Sequence, residues 1–507
     1  MPRGPLASTA AAAHLTSALV AILLVYTTAA SVWEAAHRPF WFDEVFTAIL
    51  TEKPSFTQVM SALGEAADTS GPGYYVVQRA IRGVVSDPHV AYRLPSIVAT
   101  SLVGVTLFLF ARRDLGTTAG ALAVLFVLAS QLYHGYSVEA RVYALVAFGV
   151  ALAALAWQRA DSWRWTAVLI ASAAGSVALH YYAVFALVPI GAAEAVRLAR
   201  TRRVRWGVWA ALGSGGLMLL WLWPLLSAVR AYYAGHYWST ASIGKVLATY
   251  DTLSGFGFPG GGLGLAVVLC LALTWFAWAS TRATPPNATW PPPETLVLVL
   301  GLVGLPVIVA AVAWLMNGGY TDRYAIGVIP GLALGVAYLS GALDARLRAW
   351  LLVCATVVFA THELAFWGNG SSALGIRQGP AMNAQQALLA KAAALDLPLV
   401  VSSGLDYVPL VYYHQATPID FVAVVDYEQA RHYDGTDSIE RDLVVLDHHL
   451  PLRVQSLATF RDANPAFLLL TRPGPFSWRT TYLFERGYAF TAVHQDGLFT
   501  LFKVERP

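Results

Sequence analysis

Two acids in succession, Asp43 and Glu44, follow directly on the aromatic run Phe40, Trp41 and Phe42. Such aromatics rest at membrane surfaces, where a low dielectric raises a carboxylate's proton affinity and suits it to general-base work. Adjacent helical residues point about 100° apart, so one of the two acids is expected to face a site. The plain alternative is the acidic first turn of a surface helix. Further along, Asp68 precedes a turn of Ser70, Gly71, Pro72 and Gly73 that leads into Tyr74 and Tyr75. Turn geometry alone explains its glycines and proline.

Cations take up the complementary role. Arg93, Arg141 and Arg323 each stand at the start of an apolar run. A cation in a helix's first turn is disfavoured by ~0.3–1 kcal/mol against the macrodipole, so three such placements point to an anion that the arginines and helix N–H groups share. Snorkelling arginines paired with Glu139 or Asp322 are the structural alternative. Tyr136 and Glu139 lie in the same short connection as Arg141, while His180 and Tyr181 interrupt the longest apolar run. Those last two, with Tyr182, suit either an interfacial aromatic belt or the wall of a sugar pocket.

Elements able to position these groups follow from the hydropathy pattern. Of 507 residues, 57% are hydrophobic and 12% charged, which excludes a disordered or nucleic-acid-coating chain. The net charge of +3 is too balanced to suggest a polyanionic partner. Charge-free runs cover 15–32, 94–111, 117–133, 142–157, 165–193, 206–229, 259–281, 295–316, 324–343 and 349–361. The fifth has 29 residues, about 43 Å of helix against a ~30 Å hydrocarbon core, with basic residues at both ends. It must cross an even number of times, turning near His180, Tyr181 and Tyr182, which gives about eleven transmembrane helices. With the N-terminus cytoplasmic, Arg112, Arg113, Arg159, Arg164, the arginines at 197–205, Arg282, Arg346 and Arg348 all fall inside, as the positive-inside rule requires. The first run is expected to stay in the chain rather than leave as a signal peptide.

Two hydrophilic regions then lie outside: a loop at 33–93 carrying the acids, and a tail at 367–507. The tail's short apolar runs, 397–401, 443–446 and 467–470, read as strands of a small soluble α/β domain, closed by a hairpin about Gly497. Asp447, His448 and His449 fall after one of these strands, as a polar loop rather than a metal site. The Pro-rich stretch 285–293 reads as a cytoplasmic loop, and Cys270 and Cys354 as small apolar residues without a disulfide partner. The expected organisation is thus an all-α polytopic membrane domain at 1–366 followed by the extracytoplasmic α/β domain.

The arrangement resembles the GT-C class of integral membrane glycosyltransferases, in the branch of protein O-mannosyltransferases and lipid A aminoarabinose transferases. Phe42, Asp43 and Glu44 look like the Asp-Glu pair of that family's first outer loop. Residues 68–75, reading D-T-S-G-P-G-Y-Y, look like its D-x-H-P-P-L-Y-Y stretch, with Ser70 in place of the histidine and Gly71 in place of the first proline. Arg93 with Leu94, Pro95 and Ser96, the block 136–143, and Arg323 with Tyr324 are similar to further signatures of bacterial members. The resemblance implies transfer of a sugar from a polyprenyl-phosphate donor to a hydroxyl of a glycan, lipid or protein on the outer face of a bacterial inner membrane, with inversion. Asp43 would be the base, Glu44 and Asp68 would lie near the acceptor or a metal, and Arg93, Arg141 and Arg323 would clamp the phosphate. Tyr74, Tyr75, Tyr136, Glu139, His180 and Tyr181 would shape the pocket. A divalent cation such as Mg2+ or Mn2+ is compatible with so many acids, though no His or Cys spacing requires one. A secondary transporter and a ligase or polymerase of polyprenyl-linked glycans are the rival readings.

Overall fold

The computed structural model describes residues 5–255, 259–280, 291–370, 378–472, 477–495 and 498–507. Arg282, most of the Pro-rich stretch at 285–293 and the Gly497 turn lie outside the described residues. The chain divides into two compact units, Met1–Ala36 with Ser70–Leu226 and Ser239–Gly368, and His37–Thr69 with Ser227–Trp238 and Asn369–Pro507. The long hydrophilic loop is therefore shared: 37–69 groups with the C-terminal segment, the remainder with the helices.

In the first unit the described parts of the apolar runs are mainly helix. Among the described residues, five helices are long and apolar enough to cross a membrane unaided: Ala10–His37, Pro88–Leu115, Tyr181–Thr201, Trp206–Tyr233 and Ala345–Trp367. Two bent pairs raise that number to seven, Thr117–Ala129 with Gln131–Val138 at 45° and Pro293–Val303 with Leu305–Leu315 at 55°. The first bend falls at Ser130, whose hydroxyl donates to the Val127 carbonyl and accepts from the Leu132 N–H. The second falls at Gly304, two residues before Pro306, which has no N–H to continue the ladder. Tyr143–Gln158, Trp163–Leu179, Gly261–Trp275 and Val328–Gly341 are shorter apolar helices.

The 29-residue run is broken where the length argument demands. The helix Trp163–Leu179 stops as His180 turns extended, at φ −156° and ψ 124°. A 3-10 turn, Tyr181–Ala186, then starts the helix Leu187–Thr201. Pro88–Leu115 is the most enclosed of the long helices, whereas Trp206–Tyr233 and Ala345–Gly370 leave Leu217, Leu220, Trp221, Trp350, Val357 and Val358 exposed. Contiguous apolar faces of this size are stable against lipid and not against water, and the chain is an integral membrane protein. The few charges inside this unit are paired. Glu194, fully buried, accepts from Arg197 Nη2 at 2.8 Å, from Trp157 Nε1 at 3.1 Å and from Arg205. Glu294 accepts from Arg200 Nε at 3.1 Å.

The second unit is built on a six-stranded sheet. Its strands are β1 Leu399–Val401, β2 Phe421–Val425, β3 Val454–Ser456, β4 Ala466–Thr471, β5 Ala489–Gln495 and β6 Thr500–Glu505. They are ordered β3-β2-β1-β4-β6-β5. The first four are parallel and need helical crossovers, Gly404–His414 between β1 and β2 among them, while β5 and β6 form the expected closing hairpin. Val400, Val422, Phe467 and Leu469 pack with Phe460, Trp478 and Tyr482 to form the core. The run 443–446, expected to be a strand, is instead part of the helix Ser438–Asp447. Ile439, Leu443 and Leu446 recur at helical spacing, and that periodicity overrides the local apolar run. The strand order reverses between β1 and β4, where sheets of this type commonly bind ligands. Here Ser477 Oγ and Arg479 Nη1 both donate to the Ser402 carbonyl at that point, at 2.6 and 3.1 Å.

Arg479 is 5% exposed and donates from Nη2 to Glu440 Oε1 at 3.0 Å, an oxygen that also accepts from Trp478 Nε1 at 2.7 Å. Removing the carboxylate leaves a buried guanidinium uncompensated, so Glu440→Ala should destabilise this unit by about 3–5 kcal/mol. Thermal and denaturant unfolding of the purified protein will measure that loss.

Candidate active-site groups

Asp43 and Glu44 open the helix Phe42–Thr51, and that position separates their roles. Glu44 is fully buried, and its Oε2 accepts the Trp41 N–H at 3.2 Å, the reach-back half of a capping box. Asp43 keeps partial exposure on a different side of the first turn. The helix start is itself fastened by the Phe40 N–H, which donates to Tyr413 Oη at 2.7 Å. Asp68 is nearly buried, with its Oδ1 accepting the N–H of Thr69 at 2.7 Å.

A third carboxylate joins Asp43 and Asp68. Asp442, on the helix Ser438–Asp447, accepts a hydrogen bond from Tyr233 Oη. Burial pushes the Asp442 carboxyl up to about 7, opposed by the Tyr233 hydrogen bond and reinforced by the charges of Asp43 and Asp68. The segment carrying Tyr233 is secured to the same helix. Tyr232 Oη donates to the Arg441 carbonyl at 3.0 Å, and Arg441 Nη1 donates to the Tyr232 carbonyl at 3.3 Å. His236 Nδ1 meets Asp437 Oδ1 at 3.1 Å. Sequence reasoning missed Asp442 and Tyr233, because only tertiary packing brings them to the acids. The one signal available was an acid beside the apolar face of an amphipathic helix.

In the helical unit a second group forms around Tyr143. The Arg323 guanidinium carbon lies 5.3 Å from the centre of the Tyr143 ring. Tyr136 packs edge-on to Tyr143 at 5.4 Å and lies within electrostatic reach of Asp322, Glu139 and Arg323. His180, 3% exposed, stacks on Tyr181 at 4.8 Å and sits 5.4 Å from Tyr324. Tyr182 stacks on Tyr324 at 4.3 Å and donates to the Gly319 carbonyl at 2.8 Å. Tyr136, Glu139, His180, Tyr181 and Arg323 are thus brought together, on 3-10 turns and bends rather than regular helix.

The three arginines differ from one another. Arg93 is in the second turn of Pro88–Leu115, behind the N-cap Asp87, and not at the helix start as expected. It is fully buried, and its Nη1 donates at 2.9 Å to the Ala35 carbonyl, one of the last four of Pro5–His37. A guanidinium there caps a helix C-terminus, which accounts for its charge without an anion. Arg141 stands two residues before the start of Tyr143–Gln158, ahead of the N-cap Val142, with its carbonyl held by Ser96 Oγ at 2.9 Å. Arg323 lies in the 3-10 turn Asp322–Ala325, ahead of Val328–Gly341.

Tyr74 and Tyr75 are fully buried in the helical unit, where Tyr74 Oη accepts from Gln78 Nε2 at 2.6 Å. The glycines before them answer to backbone contact more than to turn geometry. The Gly71 N–H donates to the Leu179 carbonyl at 2.7 Å, and a Cβ on Gly71 would stand 2.2 Å from the Ala178 oxygen. This contact fastens the turn to the end of Trp163–Leu179, immediately before His180.

The fold is shared with a protein of known structure. The chain is similar to ArnT, a lipid A aminoarabinose transferase from Cupriavidus metallidurans, in two crystal structures. One is bound to undecaprenyl phosphate, with a TM-score of 0.56, and the other is in the apo state, at 0.57. Each likeness covers 95% of this chain and 97% of the other, at 14% sequence identity. No protein-family model and no curated protein matches the sequence.

Protonation of Asp442 has a measurable consequence. Between the ordinary carboxylate range near pH 4 and about pH 7, the unfolded chain has lost this proton while the folded protein keeps it, so stability falls as pH rises across that interval. The melting temperature of wild type should decline there relative to Asp442→Asn, which has no proton to lose. Parallel pH profiles of the two proteins would contradict the assignment.

Proposed function

We propose that the protein is a membrane glycosyltransferase that moves a sugar from a polyprenyl-phosphate donor to a hydroxyl of a glycan, lipid or protein. The observation that carries this reading is the likeness to ArnT over 95% of the chain, which takes in the C-terminal sheet as well as the helices. Asp43 keeps a partly exposed carboxylate at a helix start, and Arg323 sits with an aromatic cluster suited to a sugar face.

In the proposed reaction Asp43 takes the acceptor's proton as its oxygen attacks the anomeric carbon. The bond from that carbon to the phosphate oxygen breaks, and its electron pair leaves with the polyprenyl phosphate. Phosphate is a weakly basic leaving group, so the demand falls on one base and on cations that stabilise the growing charge. Arg141 and Arg323 fill the second role. Arg93 fixes the end of the first helix, and Glu44 the start of the helix that carries the base. Attack from the face opposite the phosphate inverts the anomeric centre. The four shorter helices, taken as spans, bring the crossings to eleven, with the N-terminus cytoplasmic and the sheet unit outside a bacterial inner membrane.

Two substitutions test the assignment. Asp43→Asn, confirmed folded by its melting temperature, should lower the transfer rate by about 10²–10⁴-fold from a radiolabelled polyprenyl-phosphate sugar. Arg323→Gln should weaken donor binding by about tenfold or more, the loss of one charge-assisted contact. Wild-type turnover in the first would remove Asp43 from the chemistry; unchanged donor affinity in the second would remove Arg323 from the phosphate. Mass spectrometry of the lipid that co-purifies will identify the sugar.

A further inference from the structure

Glu363 lies on the helix Ala345–Gly370 and is 4% exposed. A carboxylate buried among membrane helices is costly unless both oxygens are engaged. Its Oε2 is fully occupied, accepting from Tyr26 Oη at 3.0 Å, Tyr133 Oη at 3.2 Å and Trp367 Nε1 at 3.4 Å. Its Oε1 is buried and accepts no hydrogen bond. That oxygen lies 4.0 Å from His134 Nδ1, and the ring of His134 packs against that of His362 at 4.7 Å. Ligand atoms of His134, His362 and Glu363 all come within 4.8 Å of one another.

We propose that these three side chains bind a divalent transition-metal ion of the zinc type. Two imidazoles and one carboxylate are a zinc donor set, with bonds of about 2.0–2.2 Å. A tetrahedral centre places such ligands roughly 3.4 Å apart, so closing the set takes side-chain shifts of about an ångström. The free Oε1 is where the first coordinate bond forms, and Tyr26, Tyr133 and Trp367 on the other oxygen orient the carboxylate, as outer partners of metal ligands do. His362 is exposed, which leaves the donor set open on one side. The site is structural. It fastens the connection carrying His134, two residues before Tyr136, to the last long helix, and it does not depend on the transferase reading.

The test is metal binding by the whole protein, purified without a histidine tag. After chelation, Co2+ should bind wild type with a tetrahedral visible absorption band that Zn2+ displaces, and Zn2+ should raise the melting temperature. His362→Ala, at an exposed position that leaves folding intact, should weaken binding by more than about tenfold and abolish the shift. Glu363→Gln should do the same. A wild-type protein with no cobalt band and no zinc-dependent shift, or a His362→Ala protein that binds as wild type does, would overturn the site and leave an ordinary His134–Glu363 ion pair. Sugar transfer is not the readout, so failure here leaves the proposed reaction standing.

Discussion

A polar group inside a bundle of apolar helices has no water to turn to, and the helical unit is organised by that constraint. Its scarce charges are used as fasteners at helix ends. Glu194 collects two arginines and a tryptophan, Glu294 holds Arg200, and Arg93 spends its charge on the carbonyl end of the first helix. Neutral groups obey the same rule: Ser96 takes the Arg141 carbonyl, and Gly71 takes that of Leu179. Most of these bonds join an element end to a neighbour. Side chains such as Tyr136, His180 and Arg323 are presented from turns.

Separation of roles within adjacent acids follows from the same economy. A capping carboxylate must reach back to its own helix start, and Glu44 does so from full burial. Its neighbour on the next spoke of the helix keeps partial exposure. The macrodipole favours a negative charge at that first turn. Burial, with acidic neighbours beside it, raises the Asp442 carboxyl to about 7.

The helices were legible in the sequence because a hydrocarbon solvent imposes a minimum apolar length, and length alone required the break that the structure has at His180. Where periodicity competed with composition, the reading was weaker. The run 443–446 looks like a buried strand until Ile439 is counted with Leu443 and Leu446. The arginines mark the limit differently. Arg323 and Arg141 stand before their helices as expected, but Arg93 lies a turn deeper, because the cap at Asp87 starts the helix before its apolar run begins. Asp442 offered little beyond an acid beside an apolar helix face: its chemistry belongs to neighbours supplied by other segments.

A whole-chain likeness at 14% identity shows how little of a sequence a membrane fold has to fix. Apolar side chains facing lipid are interchangeable so long as length and pattern persist, and these make up much of the helical surface. What cannot drift freely is the set of close contacts: a glycine against the end of a helix, a hydroxyl on a carbonyl, a carboxylate with its donors. The turn at 70–73 illustrates the difference. Its place is set by the Gly71–Leu179 contact, which any residue type other than glycine would obstruct, whereas Ser70, though buried, is not constrained in that way. Positions of the second kind are where related folds can diverge in the groups they recognise, so specificity has to be argued from the side chains beside such contacts and not from the fold.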